Sequence, residues 1–70
     1  MPVNNAFEKS VTRTHALIAA GTIHPAALTD LARNRIMRLR EWCHPPELMQ
    51  RAQDVLAEGK AITAAFNAAR

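Results

Sequence analysis

Four arginines lie within eight residues near the middle of the chain, in the segment Arg33–Arg40. Such a cluster could neutralise phosphates, which supply most of the affinity of nucleic-acid-binding proteins. At about 100° per residue on a helix, the cluster divides into one pair that flanks Met37 and a second pair on another face. A helix that reads nucleic acid gathers its contacts on one side. Nucleic-acid binding is therefore the alternative function, with four candidate residues: Arg33, Arg35, Arg38 and Arg40.

A second pattern in the same segment favours a protein partner. Leu31, Arg35, Arg38 and Trp42 follow one another at steps of 4, 3 and 4, beside the apolar stripe that the helix needs to reach its own core. Trp and Arg are enriched at the hot spots of protein interfaces, which predicts a partner-binding face. A second interpretation stays open, in which Trp42 closes one end of the bundle and the arginines cover the core edge with their alkyl stems.

The segment that follows contains three residue types able to bind metal or act in catalysis: Cys43, His44 and Glu47. A structural zinc site needs four ligands, and a Cys–His nucleophile needs the two side chains within hydrogen-bond reach. Adjacent residues at a helix end point apart, and Cys43 falls on the core stripe, where a free cysteine behaves as a small hydrophobe. We expect no metal, no cofactor, no enzymatic activity and no small-molecule substrate, since so short a helical chain has little room for a substrate cleft.

Glycine and proline divide the chain into helices. Gly21 suits the position just past a helix end, and Pro25 and the pair Pro45–Pro46 suit helix starts. His24, directly before Pro25, is expected to be a cap or turn residue. No strand-like alternation occurs, so we predict an all-α fold: a small three-helix hairpin or bundle, one domain over residues 1–70, with helices at roughly 5–20, 25–43 and 46–69.

The third predicted helix carries a heptad stripe, which is typical of a helix packed against another helix. Gly59 lies on this stripe, although a mid-helix glycine costs about 1 kcal/mol relative to alanine. We predict that Gly59 lets a neighbouring backbone approach closely; the alternative is a break into two shorter helices. Glu47 and Arg51, four residues apart, are expected to pair. The stripe is the expected helix-packing or oligomer seam: Leu48, Ala52, Val55, Gly59, Ile62 and Phe66.

The size of the chain points to self-association. Seventy residues with one cysteine form no internal disulfide, and a domain this small buries only about 60% of the surface of its unfolded form. A homo-oligomer, with a dimer favoured, would complete the core. The lone cysteine suits a reducing compartment, no signal-peptide pattern opens the sequence, and no apolar run is long enough for a membrane span, so the expected location is cytoplasmic.

These features together predict a function in binding. We expect a small helical protein-interaction module or regulator, of the adaptor, inhibitor or co-chaperone type, that docks a helix face on a protein partner. The sequence does not identify this partner. The net charge of +3 would assist an acidic partner.

Overall fold

The structure, a computed structural model, describes residues 5–69. It confirms the all-α fold: the described residues form three helices and no strand, with each helix boundary within two residues of the prediction. None of these helices is both long and apolar enough to cross a membrane. The helices are α1 (Asn5–Ala19), α2 (Ala26–Glu41) and α3 (Pro46–Ala68).

The turn between α1 and α2 depends on Gly21, which adopts a positive φ of 74°. This left-handed conformation lets the N–H of Thr22 donate to the carbonyl of Leu17 at 2.9 Å, closing the end of α1 in a Schellman motif. At the start of α2, Nδ1 of His24 accepts a hydrogen bond from the N–H of Ala26 at 3.0 Å. His24 is therefore a capping residue, as the sequence predicts.

The end of α2 comes earlier than predicted. Pro45 and Pro46 have no N–H and restrict the residue before them, so α2 must end before this pair. It ends at Glu41, and Trp42 takes an extended conformation with φ −132° and ψ 153°. The chain then leads Cys43 away from the core. The prediction that Cys43 is a buried hydrophobe is wrong, because its side chain is exposed.

Helices α2 and α3 form an antiparallel hairpin that contains most of the core. The two helices approach closely at Gly59: a Cβ at this position would lie 2.8 Å from Oγ1 and 2.9 Å from the backbone N of Thr29. Helix α3 continues through Gly59 without a break, which confirms the close-packing prediction. The buried apolar side chains are Phe7, Val11, Leu28, Ala32, Ile36, Leu39, Leu48, Ala52 and Val55.

Helix α1 packs mainly on α2 and is joined to α3 by one ion pair and one histidine–carboxylate contact. Glu8 accepts two hydrogen bonds from Arg51, 2.7 Å from Nε and 2.9 Å from Nη2. His15 Nε2 contacts a carboxylate oxygen of Glu58. In both helices the two residues are seven apart, so α1 and α3 run in the same direction. The expected pairing of Arg51 with Glu47 is wrong, since Arg51 instead reaches across to α1.

The Glu8–Arg51 pair makes a small, pH-dependent contribution to stability. Its hydrogen bonds, helped by the positive charge of Arg51, hold the pKa of Glu8 below its ordinary value against the opposing effect of desolvation. A lowered folded-state pKa means that the stabilisation is complete above the ordinary Glu pKa of about 4.3 and lost as the pH falls through the folded-state value. Because both side chains are more than one-third exposed, we expect a coupling energy of only about 0.5–1 kcal/mol at neutral pH.

A double-mutant cycle of Glu8→Gln and Arg51→Gln, measured by urea unfolding at neutral pH and again below pH 4, tests this expectation. The coupling energy should decrease at the acidic pH, as the pH falls toward the lowered folded-state pKa of Glu8. Arg13→Gln, an exposed position on α1, is the control for loss of a positive charge. A coupling energy that is zero at neutral pH, or that persists undiminished in acid, would contradict the structure.

Candidate partner-binding face

The α2 residues that the sequence assigns to partner binding line one wall of a groove whose opposite wall is α1. The groove has a volume of about 210 Å³. Its walls contain two arginines and no acidic residue, so we name it the basic groove. Its lining residues are Leu31, Asn34, Arg35 and Arg38 from α2 and Ala6, Phe7 and Ser10 from α1.

Arg35 is held in place by an aromatic ring of the core. Its guanidinium carbon lies 5.2 Å from the centroid of the Phe7 ring, within the range of a cation–π interaction. Phe7 is buried and belongs to the core cluster that also contains Val11 and Leu28. Both arginines line the basic groove, with Arg35 half-buried against the Phe7 ring and Arg38 exposed.

Trp42 lies beyond the last turn of α2, four residues after Arg38, and does not line the basic groove itself. Its side chain is 70% exposed. The interpretation in which Trp42 closes one end of the bundle is therefore wrong for the isolated chain. In the sequence the four residues assigned to partner binding follow at steps of 4, 3 and 4, and Trp42 comes directly after the last residue of α2 in an extended conformation. We call these four residues the docking face: Leu31, Arg35, Arg38 and Trp42.

The four arginines of α2 do not form one surface. Arg33 and Arg40 lie on either side of Met37, which is 59% exposed, in a separate groove against Leu56 of α3. The other two arginines face α1 across the basic groove. This division matches the phase that the sequence predicts. It leaves each groove with only two positive charges for a phosphate backbone.

Most of the α3 seam packs inside the chain. Leu48, Ala52, Val55 and Gly59 are buried in the α2–α3 hairpin. Ile62 and Phe66, the next two members, are half-buried and 43% exposed, respectively. The Phe66 ring meets the edge of the His24 ring, with the centroids 4.9 Å apart and the planes at 69°.

Sequence reasoning missed two parts of these surfaces. The α1 wall of the basic groove was not identified, because the periodicity of one helix does not show which residues of a second helix lie beside it. A second, apolar groove between the α1–α2 turn and the C-terminal part of α3 was also missed. Its signal was Ile23, an apolar residue in a turn between Gly21 and Pro25.

The four side chains of the docking face are cationic or apolar, types that can offer van der Waals contact, cation–π stacking and charge-assisted hydrogen bonds. Within residues 5–69, no three His, Cys, Asp or Glu side chains come together in an arrangement able to hold a metal ion. Cys43, His44 and Glu47 are all exposed around the α2–α3 connection.

Neither a protein-family model, nor a curated protein, nor a solved structure matches this chain significantly.

Proposed function

We propose that this chain is a small helical protein-interaction module, a regulator of the adaptor, inhibitor or co-chaperone type, that binds a partner protein through the docking face and acts as a homo-oligomer, with a dimer favoured. The observation that carries the proposal is the exposure of Trp42. Large aromatic side chains gain most from burial, and this one is left 70% exposed at the end of a row that includes two arginines. Covering it with a partner removes apolar surface from water.

The basic groove specifies the chemistry of the partner. Its lining contributes Arg35 and Arg38 and no carboxylate, so an acidic segment is complementary to it. Guanidinium groups form bidentate hydrogen bonds with carboxylates, which fix orientation as well as adding affinity. The partner segment should therefore carry carboxylates for the groove and an apolar surface for Trp42.

The division of the arginines favours a protein over a nucleic acid. A phosphate backbone is tracked by a continuous row of positive charges, and here Arg33 and Arg40 face α3 while Arg35 and Arg38 face α1. Binding of a partner that uses only one of these two grooves should depend on the two arginines of that groove. Binding of a polyanion attracted by overall charge should depend on all four arginines alike.

Arg38→Glu should weaken partner binding about tenfold or more, since it places a like charge opposite an acidic partner. Arg33→Glu is the matched control, because Arg33 is also exposed on the same helix and its substitution changes the net charge by the same amount. The wild-type chain and both variants are immobilised and incubated with an extract of the native host. Retained proteins are then quantified by mass spectrometry.

A protein retained by wild type and Arg33→Glu, but depleted on Arg38→Glu, supports the proposal. Equal retention or equal loss on the two variants contradicts it. The same variants are tested for a shift of duplex DNA and RNA at low salt. A shift that weakens steeply with salt, and is reduced equally by both substitutions, would favour the nucleic-acid alternative.

A further inference from the structure

The apolar groove lies at the end of the molecule opposite Trp42. The α1–α2 turn forms one side of it and the C-terminal part of α3 forms the other, with a volume of about 590 Å³. Because α2 separates this turn from Trp42 by 16 residues, the two surfaces are about 24 Å apart. The apolar residues that line the groove are Ile18, Ile23, Pro25, Ile62, Ala65 and Phe66.

The heptad stripe of α3 continues past its intramolecular partner. The stripe faces α2 as far as Gly59, which meets Thr29 near the start of that helix. Since α2 begins at Ala26, the following turns of α3 have little of α2 to pack against. Phe66, in phase with the buried seam, contacts only the turn residue His24 among the aromatic side chains described and stays 43% exposed. The turns of α3 after Gly59 therefore keep the heptad pattern that is typical of a helix packed against another helix, although α2 covers them little.

The charges around each groove determine how readily it can meet a copy of itself. A two-fold contact brings a patch against itself, so a patch with a net charge repels its own copy. The basic groove carries two arginines, and the groove at Met37 carries two more. The residues that line the apolar groove include no Asp, Glu, Lys or Arg. A fourth groove, between α2 and α3, contains Asp30, Arg33 and Lys60. Of these four surfaces, the apolar groove alone has a lining without a charged Asp, Glu, Lys or Arg side chain, so it meets a copy of itself without like-charge repulsion.

We infer that the apolar groove is the homodimer interface, in which the C-terminal turns of α3 from two copies pack across a two-fold axis and cover Phe66. This inference rests on the homo-oligomer part of the proposed function and adds the surface that forms it. It leaves Trp42 of each copy at the far end of α2, and none of the residues that line the apolar groove belongs to the docking face. The dimer is then a bivalent module with one partner site at each end.

Phe66→Lys tests the interface, because it places a positive charge in a patch that meets itself. We expect dimer dissociation to increase by about a hundredfold, measured as native mass by sedimentation over a range of micromolar concentrations. Ala65→Glu, at an exposed position in the same groove, should have the same effect, so a folding defect at Phe66 does not decide the result. The control is Met37→Lys, an exposed apolar residue outside the groove, which should leave the mass unchanged.

Mixing two variants provides the more specific test. Phe66→Lys and Phe66→Glu should each be monomeric, and an equimolar mixture should recover the dimer because the patches then carry opposite charges. A dimeric wild type with Phe66→Lys and Ala65→Glu also dimeric overturns this interface but leaves self-association standing. A monomeric wild type at high micromolar concentration overturns both. Neither outcome affects the comparison of Arg38→Glu with Arg33→Glu, which tests partner binding separately.

Discussion

Replacing Gly59 with leucine should lower the free energy of unfolding by about 3 kcal/mol or more. A single added carbon already lies 2.9 Å from the backbone N and 3.2 Å from the Cα of Thr29, and backbone atoms cannot rotate aside as a side chain can. The whole of α2 would have to move away from α3, and overpacking of this kind costs about 1–3 kcal/mol even for small additions. A chain of this length has a total stability of only about 4–10 kcal/mol, so the loss is large.

Alanine at position 59 gives a finer test, because two effects then oppose one another. Removing a glycine from a helix gains about 1 kcal/mol in helix propensity, while the new Cβ meets the α2 backbone. We expect the steric effect to be larger and Gly59→Ala to reduce the melting temperature by several degrees, as a net loss of about 1 kcal/mol does in a domain of this size. Thermal unfolding followed by circular dichroism measures both variants.

Two further substitutions separate the causes. Ala57→Leu lies on an exposed position of the same helix and should leave stability almost unchanged. Thr29→Ala removes the hydroxyl that lies 2.8 Å from the added carbon but keeps the backbone, so it should rescue Gly59→Ala only in part. If Gly59→Ala raises the melting temperature, as in an exposed helix, the two helices do not approach closely at this point.

The parts of the fold that follow from local chemistry could be predicted from the sequence. Gly21 ends α1 because only glycine adopts a positive φ at little cost. The apolar stripe of α3 keeps its phase on both sides of Gly59 because the helix continues through this residue. Pro45 and Pro46 likewise require α2 to end before them, but the end at Glu41 rather than at Cys43 does not follow from this rule.

The parts that depend on how the helices are registered could not be predicted. Glu47, four residues before Arg51, is the partner that helical spacing suggests, yet Arg51 bonds to Glu8 of α1. The partner of Arg51 is decided by the parallel alignment of α1 and α3. The periodicity of a single helix carries no information about this alignment. The same limit applies to Phe7 of α1. Its ring lies beneath Arg35 of α2, and together the two helices form the basic groove.

The docking face was predicted as a row of residues, and its use by a partner stays a prediction. Spacing placed Leu31, Arg35, Arg38 and Trp42 on one side of α2, but it left Trp42 equally compatible with a core and with an interface. The structure distinguishes these two for the isolated chain, since a side chain 70% exposed has few contacts to lose. If a partner covers Trp42, its truncation should reduce partner affinity and leave stability almost unchanged.

Trp42→Ala should reduce partner affinity by about 2 kcal/mol, or roughly thirtyfold, the effect of truncating an interface hot spot. Stability should change by less than about 0.5 kcal/mol, because an exposed side chain contributes little to folding. The partner used is the protein retained by wild type and depleted on Arg38→Glu, purified and titrated by calorimetry. Met37→Ala, which also truncates an exposed apolar side chain of α2, is the control and should leave the affinity unchanged.

Trp42 also reports on its own environment, because it is the one tryptophan of the chain. In the free protein its fluorescence should be quenched by acrylamide almost as efficiently as that of a short peptide, and a partner that lacks tryptophan should protect it and shift its emission to the blue. Loss of stability in Trp42→Ala on the scale of a buried aromatic, about 3–5 kcal/mol, would place the indole in a core and remove the basis of the docking face. Unchanged affinity with unchanged stability would show that Trp42 is exposed and unused, and partner binding would then have to depend on the basic groove alone.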